Sequence, residues 1–100
     1  MKRKSDIYKH YSDFYSSVYT LQTDFVNERQ CWISMDTHAV WYSNDFWRVG
    51  YSEDIGSETC IMKAPSLSSM LPFEGTWSYF DQESGLWIEA GENLTIKLSF

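Results

Sequence analysis

No apolar run in this chain approaches the roughly 20 residues that a helix needs to cross a bilayer. The opening MKRKSD leads into no apolar core of the kind a secretory leader carries. The sequence as it stands is therefore read without membrane insertion and without a signal peptide. Soft metal ligands are scarce as well: His10, His38, Cys31 and Cys60 are the only ones, and no two stand in C-x-x-C or H-x-x-x-H spacing. The Ser52–Glu58 turn offers Glu53, Asp54 and Glu58, but not the alternating oxygen ligands of a calcium loop, so it reads as a solvated acidic turn. A nucleophile elbow with a positioned base is missing. Paired carboxylates for glycoside chemistry would need a cleft that a domain of this size rarely has room for. No catalytic residue, metal or cofactor is expected, and the reading is of a protein that is not an enzyme.

Positive charge is scarce and unevenly placed. Lys2, Arg3, Lys4 and Lys9 supply half of the eight basic residues. From Tyr11 onward thirteen acidic residues face four basic ones, a balance of −9. Such a body repels phosphate backbones and anionic lipid, so nucleic-acid binding is not expected despite the many aromatics. Residues 1–5 read as a disordered basic tail, and residues 6–100 as one β module.

Aromatic residues, by contrast, are abundant. Eighteen rings in one hundred residues can each bury roughly 150–250 Å², more than so small a core can hide. Some are therefore expected at the surface. The densest stretch is Cys31–Tyr51, CWISMDTHAVWYSNDFWRVGY, with three of the five tryptophans. Its apolar runs Cys31–Met35, Ala39–Tyr42 and Phe46–Tyr51 hold residues that suit a pleated surface. They are broken by Asp36-Thr37-His38 and Ser43-Asn44-Asp45, residues that close tight turns. The pattern predicts a three-stranded antiparallel meander.

On either side, Asp6–Tyr11, Phe14–Leu21, Thr59–Lys63, Thr76–Phe80 and Leu86–Glu89 read as further strands. Asn93–Phe100 alternates Leu94, Ile96, Leu98 and Phe100 with polar residues, the clearest period-2 signal in the chain. Thr23–Arg29 is expected to be a loop anchored by Phe25 and Val26, and Ala64–Pro72 a surface loop pinned by Leu67, Met70 and Leu71. About eight short strands at regular spacing, with no convincing helix, predict an all-β antiparallel sandwich or barrel-like domain built on aromatic hairpins.

The succession SVYTL, VNER, CW, AVWYS, FWRVG, DIGS, AP, W-x-YFD, GLWI and NLTI resembles small Trp/Tyr-rich β modules. Such modules are repeated or appended in large eukaryotic multidomain proteins, often extracellular ones. The resemblance runs from about Ser17 onward and rests on spaced aromatics and turns. It departs at Ser16-Ser17 and Asn27-Glu28, where such modules usually carry Asn-Gly. It implies a binding or structural role and assigns no catalytic residue.

Candidate binding residues are Trp41, Tyr42, Trp47, Arg48, Trp77, Tyr79 and Trp87. Aromatic residues and arginine concentrate binding energy at protein interfaces, and the same rings beside Asp, Asn and Glu can stack on sugars. Adjacent rings in a strand point to opposite faces, so Trp41 and Tyr42 cannot both enter one core. At least two of Trp41, Tyr42, Trp47, Trp77 and Trp87 are accordingly expected to be exposed and close together. The partner read first is a protein or an identical copy, the alternative a carbohydrate.

Cys31 and Cys60 allow one disulfide, closing a loop of about 30 residues and worth about 3–4 kcal/mol, or two buried thiols. Asn93-Leu94-Thr95 matches the acceptor pattern for N-glycosylation. Location is not fixed by the sequence; an extracellular place within a secreted parent is favoured, with the cytoplasm as the alternative.

Overall fold

Turn chemistry sets the hairpins at the centre of this chain. Asn44 and Asp45 both adopt left-handed backbone, with φ of 48° and 71°. This is the two-residue connection whose twist matches that of the strands it joins. Strands β3 (His38–Ser43) and β4 (Phe46–Tyr51) flank it, paired in full register from His38↔Tyr51 to Ser43↔Phe46. The preceding turn ends on Thr37 at φ 64° and connects β2 (Trp32–Ile33) to β3. Asn27 and Glu28, at φ 51° and 68°, make a third tight turn inside the loop that precedes β2, closed by the Val26↔Arg29 bridge.

The computed structural model describes Phe14 and residues 17–66, 76–89 and 96–100. The expected strand Asp6–Tyr11, the tail at residues 1–5, the anchors Leu67, Met70 and Leu71, and Asn93 lie outside the described residues. The remaining strands are β1 (Val18–Leu21), β5 (Met62–Pro65), β6 (Ser78–Asp81), β7 (Leu86–Glu89) and β8 (Lys97–Ser99). A single 3-10 turn, Ser52–Asp54, is the short helical piece between β4 and β5. The protein is all-β, and its described residues form eight strands in one mixed sheet. Among the described residues no helix is long and apolar enough to cross a membrane.

The strand order is β7-β6-β5-β4-β3-β2-β1-β8, a meander from β1 to β7 with β8 returning to the far side of β1. The meander is antiparallel throughout. The β1–β8 pair is parallel, with Tyr19 opposite Leu98. A parallel neighbour needs a long crossover, and here the whole meander serves as one.

Register carries one row of apolar residues across the sheet: Leu21, Trp32, Val40, Val49, Met62, Tyr79 and Ile88 face one another from strand to strand. All of these except the exposed Ile88, with Tyr19, Trp47, Ala64, Trp77 and Ile96, form the main core on the first face of the sheet. The second face carries a smaller core around Ala39, Trp41 and Cys31. Loops cover it, placing Val26, Ile55 and Cys60 against the Trp41 ring. Gly50 is required beneath that ring. A Cβ there would stand 3.0 Å from the Cη2 of Trp41 and 3.2 Å from the Cα of Cys60.

Candidate functional site

The second face is covered over β3 and over Arg48 and Gly50 of β4, but not toward β7. The loop cover is fastened by specific bonds. Trp41 donates its indole N–H to the Ser57 carbonyl at 2.8 Å. Asn27 donates to the carbonyls of Tyr42 at 2.8 Å and Gly56 at 3.2 Å, joining the two loops. Arg48, only 5% exposed, donates to the carbonyls of Ser43 and Glu58, both at 3.0 Å. Its Nη2 also lies 3.8 Å from the Glu58 carboxylate, and its Nη1 donates to the Cys60 sulfur at 3.5 Å. Arg48 is thus a clamp on the loop that follows β4.

Beyond Arg48 the same face opens. Pairing places Lys63 opposite Arg48, Ser78 opposite Lys63, and Glu89 opposite Ser78. Beside this row Phe80 pairs with Trp87, their rings edge to face with centroids 5.4 Å apart. The Lys63 ammonium lies between two rings, 4.2 Å from the centroid of Trp87 and 4.7 Å from that of Phe46. All four residues of β7 are exposed, with Leu86 64%, Trp87 37% and Ile88 37% accessible. β7 is also the end of the sheet, so among the described residues nothing pairs with its outer edge.

The chain therefore brings together an open strand edge, an exposed tryptophan and a half-buried group of Phe46, Lys63 and Phe80. The flanking charge is acidic, from exposed Glu83 and Glu89. Asp81 is used locally: its carboxylate accepts from the Glu83 backbone N–H and the Ser84 hydroxyl, and its carbonyl accepts from the N–H of Gly85. The turn before β7 ends on that glycine at φ 71°.

Most of the binding residues read from the sequence lie elsewhere. Trp41, Trp47 and Trp77 are 0, 1 and 2% exposed and belong to the core, as does the buried Arg48 clamp. Tyr42 and Tyr79 are partly buried against the main core, and the Arg29 guanidinium lies 4.2 Å from the centre of the Tyr42 ring. Trp87 alone of the seven is exposed. The expected cluster of two or more exposed rings among Trp41, Tyr42, Trp47, Trp77 and Trp87 is corrected accordingly. Adjacent rings do point to opposite faces, but loops 22–31 and 52–61 cover the second face over Trp41. The exposed Leu86 and Ile88 and the half-buried Lys63, Phe46 and Phe80 complete the group and were not read from the sequence, which shows the strand but not its place at the sheet edge.

Cys31 and Cys60 are free thiols packed around Trp41. Burial pushes both above the usual thiol range, the nearby Asp24 charge adding to this at Cys31. At Cys60 the hydrogen bond and charge of Arg48, and the charge of Lys63, oppose the effect of burial.

A second polar feature lies on the other face. The hydroxyl of Ser17 and Nδ1 of His38 are 3.1 Å apart, and Phe14 stacks on the imidazole at 3.9 Å. Ser17 and His38 are 6 and 8% exposed, a largely buried pair. A nearby cavity of about 290 Å³, lined by Thr37, Tyr51, Ser52 and Glu53, offers one carboxylate. Among the described residues no group of three or more His, Cys, Asp or Glu is placed to hold a metal ion.

Comparison with protein families, with characterised proteins and with solved structures finds no match.

Proposed function

We propose that this chain is a non-enzymatic β module that makes protein–protein contacts, as a unit of a larger protein or assembly. The observation that supports this is the exposure of three consecutive large apolar residues, Leu86, Trp87 and Ile88, on an edge strand whose outer side has no partner among the described residues. Natural sheets usually blunt such an edge with charge, proline or a bulge, because it recruits other chains.

Sugar recognition, the alternative reading, needs an open ring face beside hydroxyl-bonding groups. The Lys63 ammonium already lies over the Trp87 ring. Protein contact is therefore the reading adopted.

The test is selection of ligands from a displayed peptide library against the full chain, with a glycan array in parallel. Peptide ligands should emerge, and Trp87→Ala should weaken each by about 2 kcal/mol or more while the thermal midpoint stays near that of the parent. Ligands indifferent to Trp87, or glycans alone, would overturn the assignment.

A further inference from the structure

Resting on that reading, we infer that the occupant of the β7 edge is an extended, basic protein segment that adds to the sheet as a ninth strand, with its apolar side chains beside Trp87 and Ile88.

The geometry specifies a strand. β7 is the terminal member of a hydrogen-bonded sheet, and an edge strand presents a row of unpaired N–H and C=O groups as a template. A chain that lies along this edge gains main-chain hydrogen bonds whatever its sequence, while alternate side chains select it. Four residues of β7 at about 3.3 Å each offer a template of roughly 13 Å, matching a partner segment of about four to six residues. Register then dictates the pattern. Ile88 continues the first-face row that ends Met62, Tyr79, Ile88, and Trp87 sits on the second face. Successive partner residues thus meet an apolar ring on one side and an apolar aliphatic on the other.

Charge selects the sign. The described residues hold ten carboxylates and four Lys or Arg. Three of those cations are engaged far from the edge or within the site: Arg29 over Tyr42, Arg48 in its clamp, and Lys63 between Phe46 and Trp87. The fourth, Lys97, lies on β8 at the opposite end of the sheet. The β7 end therefore presents the exposed Glu83 and Glu89 around its apolar strip. Basic residues flanking a short apolar core complement it, and opposite charges support adjacent strands. A second copy fits less well, because the chain carries a net charge of −6 and would bring two acidic edges together. The other end of the sheet among the described residues, β8, carries Lys97, a common device against edge pairing.

The experiment titrates the full chain with three synthetic peptides: an apolar β-branched core flanked by arginines, the same peptide with a central proline, and the same with the arginines replaced by glutamates. The arginine peptide should bind, and should weaken as salt rises. The proline and glutamate versions should each bind at least about tenfold more weakly, since one cannot pair as a strand and the other meets like charge. The double variant Glu83→Lys/Glu89→Lys changes only exposed side chains, and should reverse the preference between the arginine and glutamate peptides. Equal binding of the proline peptide would overturn strand addition. Equal binding of the glutamate peptide, or no reversal in the double variant, would overturn the basic partner. In either case a loss of binding in Trp87→Ala would still leave the interaction face standing, so the two readings fail separately. Absence of binding by every peptide, or a concentration-dependent dimer in sedimentation that Ile88→Lys abolishes, would overturn the inference in favour of another occupant.

Discussion

Lys63 holds its ammonium over the Trp87 ring, 4.2 Å from the centroid, and so ties the edge strand to the middle of the sheet across β6. A cation over a partly exposed ring contributes about 0.5–1 kcal/mol. Lys63→Ala should lower the unfolding free energy in urea by about that amount, while Lys63→Arg should retain most of it. Identical curves for all three proteins would show that the contact carries no energy.

The tryptophans divide into core and surface. Trp41→Ala, Trp47→Ala and Trp77→Ala should each cost about 3–5 kcal/mol, as buried rings do. Trp87→Ala, at a 37% exposed position, should cost under about 1.5 kcal/mol. The core rings differ further. Trp41 donates its indole N–H to the Ser57 carbonyl, whereas the buried N–H groups of Trp32 and Trp47 have no partner among the described residues. Trp41→Phe should therefore be costlier than Trp47→Phe by about 1 kcal/mol, the worth of one hydrogen bond. Equal losses in chemical denaturation would contradict the bonding described.

Three turns ask ordinary residues to adopt backbone that suits glycine. Thr37 at φ 64° and Glu28 at φ 68° are the costliest, since neither residue type favours this region. Thr37→Gly and Glu28→Gly should each stabilise by about 0.5–1 kcal/mol, and Asp45→Gly by less, because aspartate tolerates the left-handed region better. Thermal midpoints that fall in all three variants would show that the side chains matter more than the backbone.

Alkaline pH should destabilise the fold. Burial pushes Cys31, Cys60 and Tyr19 above their usual ranges, at Tyr19 against the opposing hydrogen bond to Ser17 and with a smaller push from Asp36. The folded chain then holds protons that the unfolded chain releases, first near pH 8.5 from thiols and near 10 from the phenol. Their stabilising contribution is complete below those values and falls as pH rises through them. A thermal midpoint that stays constant or rises from pH 8 to 11 would contradict the burial of these groups.

Much of the fold was legible because it is local. Asn44-Asp45 between two aromatic runs marks the β3–β4 hairpin, and these two strands lie within a residue of the expected ones. The alternation in residues 93–100 located β8, but not its parallel place beside β1, which depends on a partner nearly eighty residues away. The same limit explains the site. Trp41 and Trp87 sit in similar apolar runs, and composition alone ranks them alike. The loops carrying Val26 and Ile55 fold over Trp41, while β7 falls last in the strand order. Exposure is a property of that order, and of chain far from the ring in question.

The interaction face is tested most directly by an amide ¹H–¹⁵N shift map of the full chain during titration with the arginine-flanked peptide. Changes should centre on Leu86, Trp87, Ile88 and Glu89, extend to Lys63 and Phe80, and leave Trp41 and the Thr37–Glu53 cavity unmoved. Changes centred on that cavity or on β8, with β7 unaffected, would contradict the assignment of the β7 edge as the binding face.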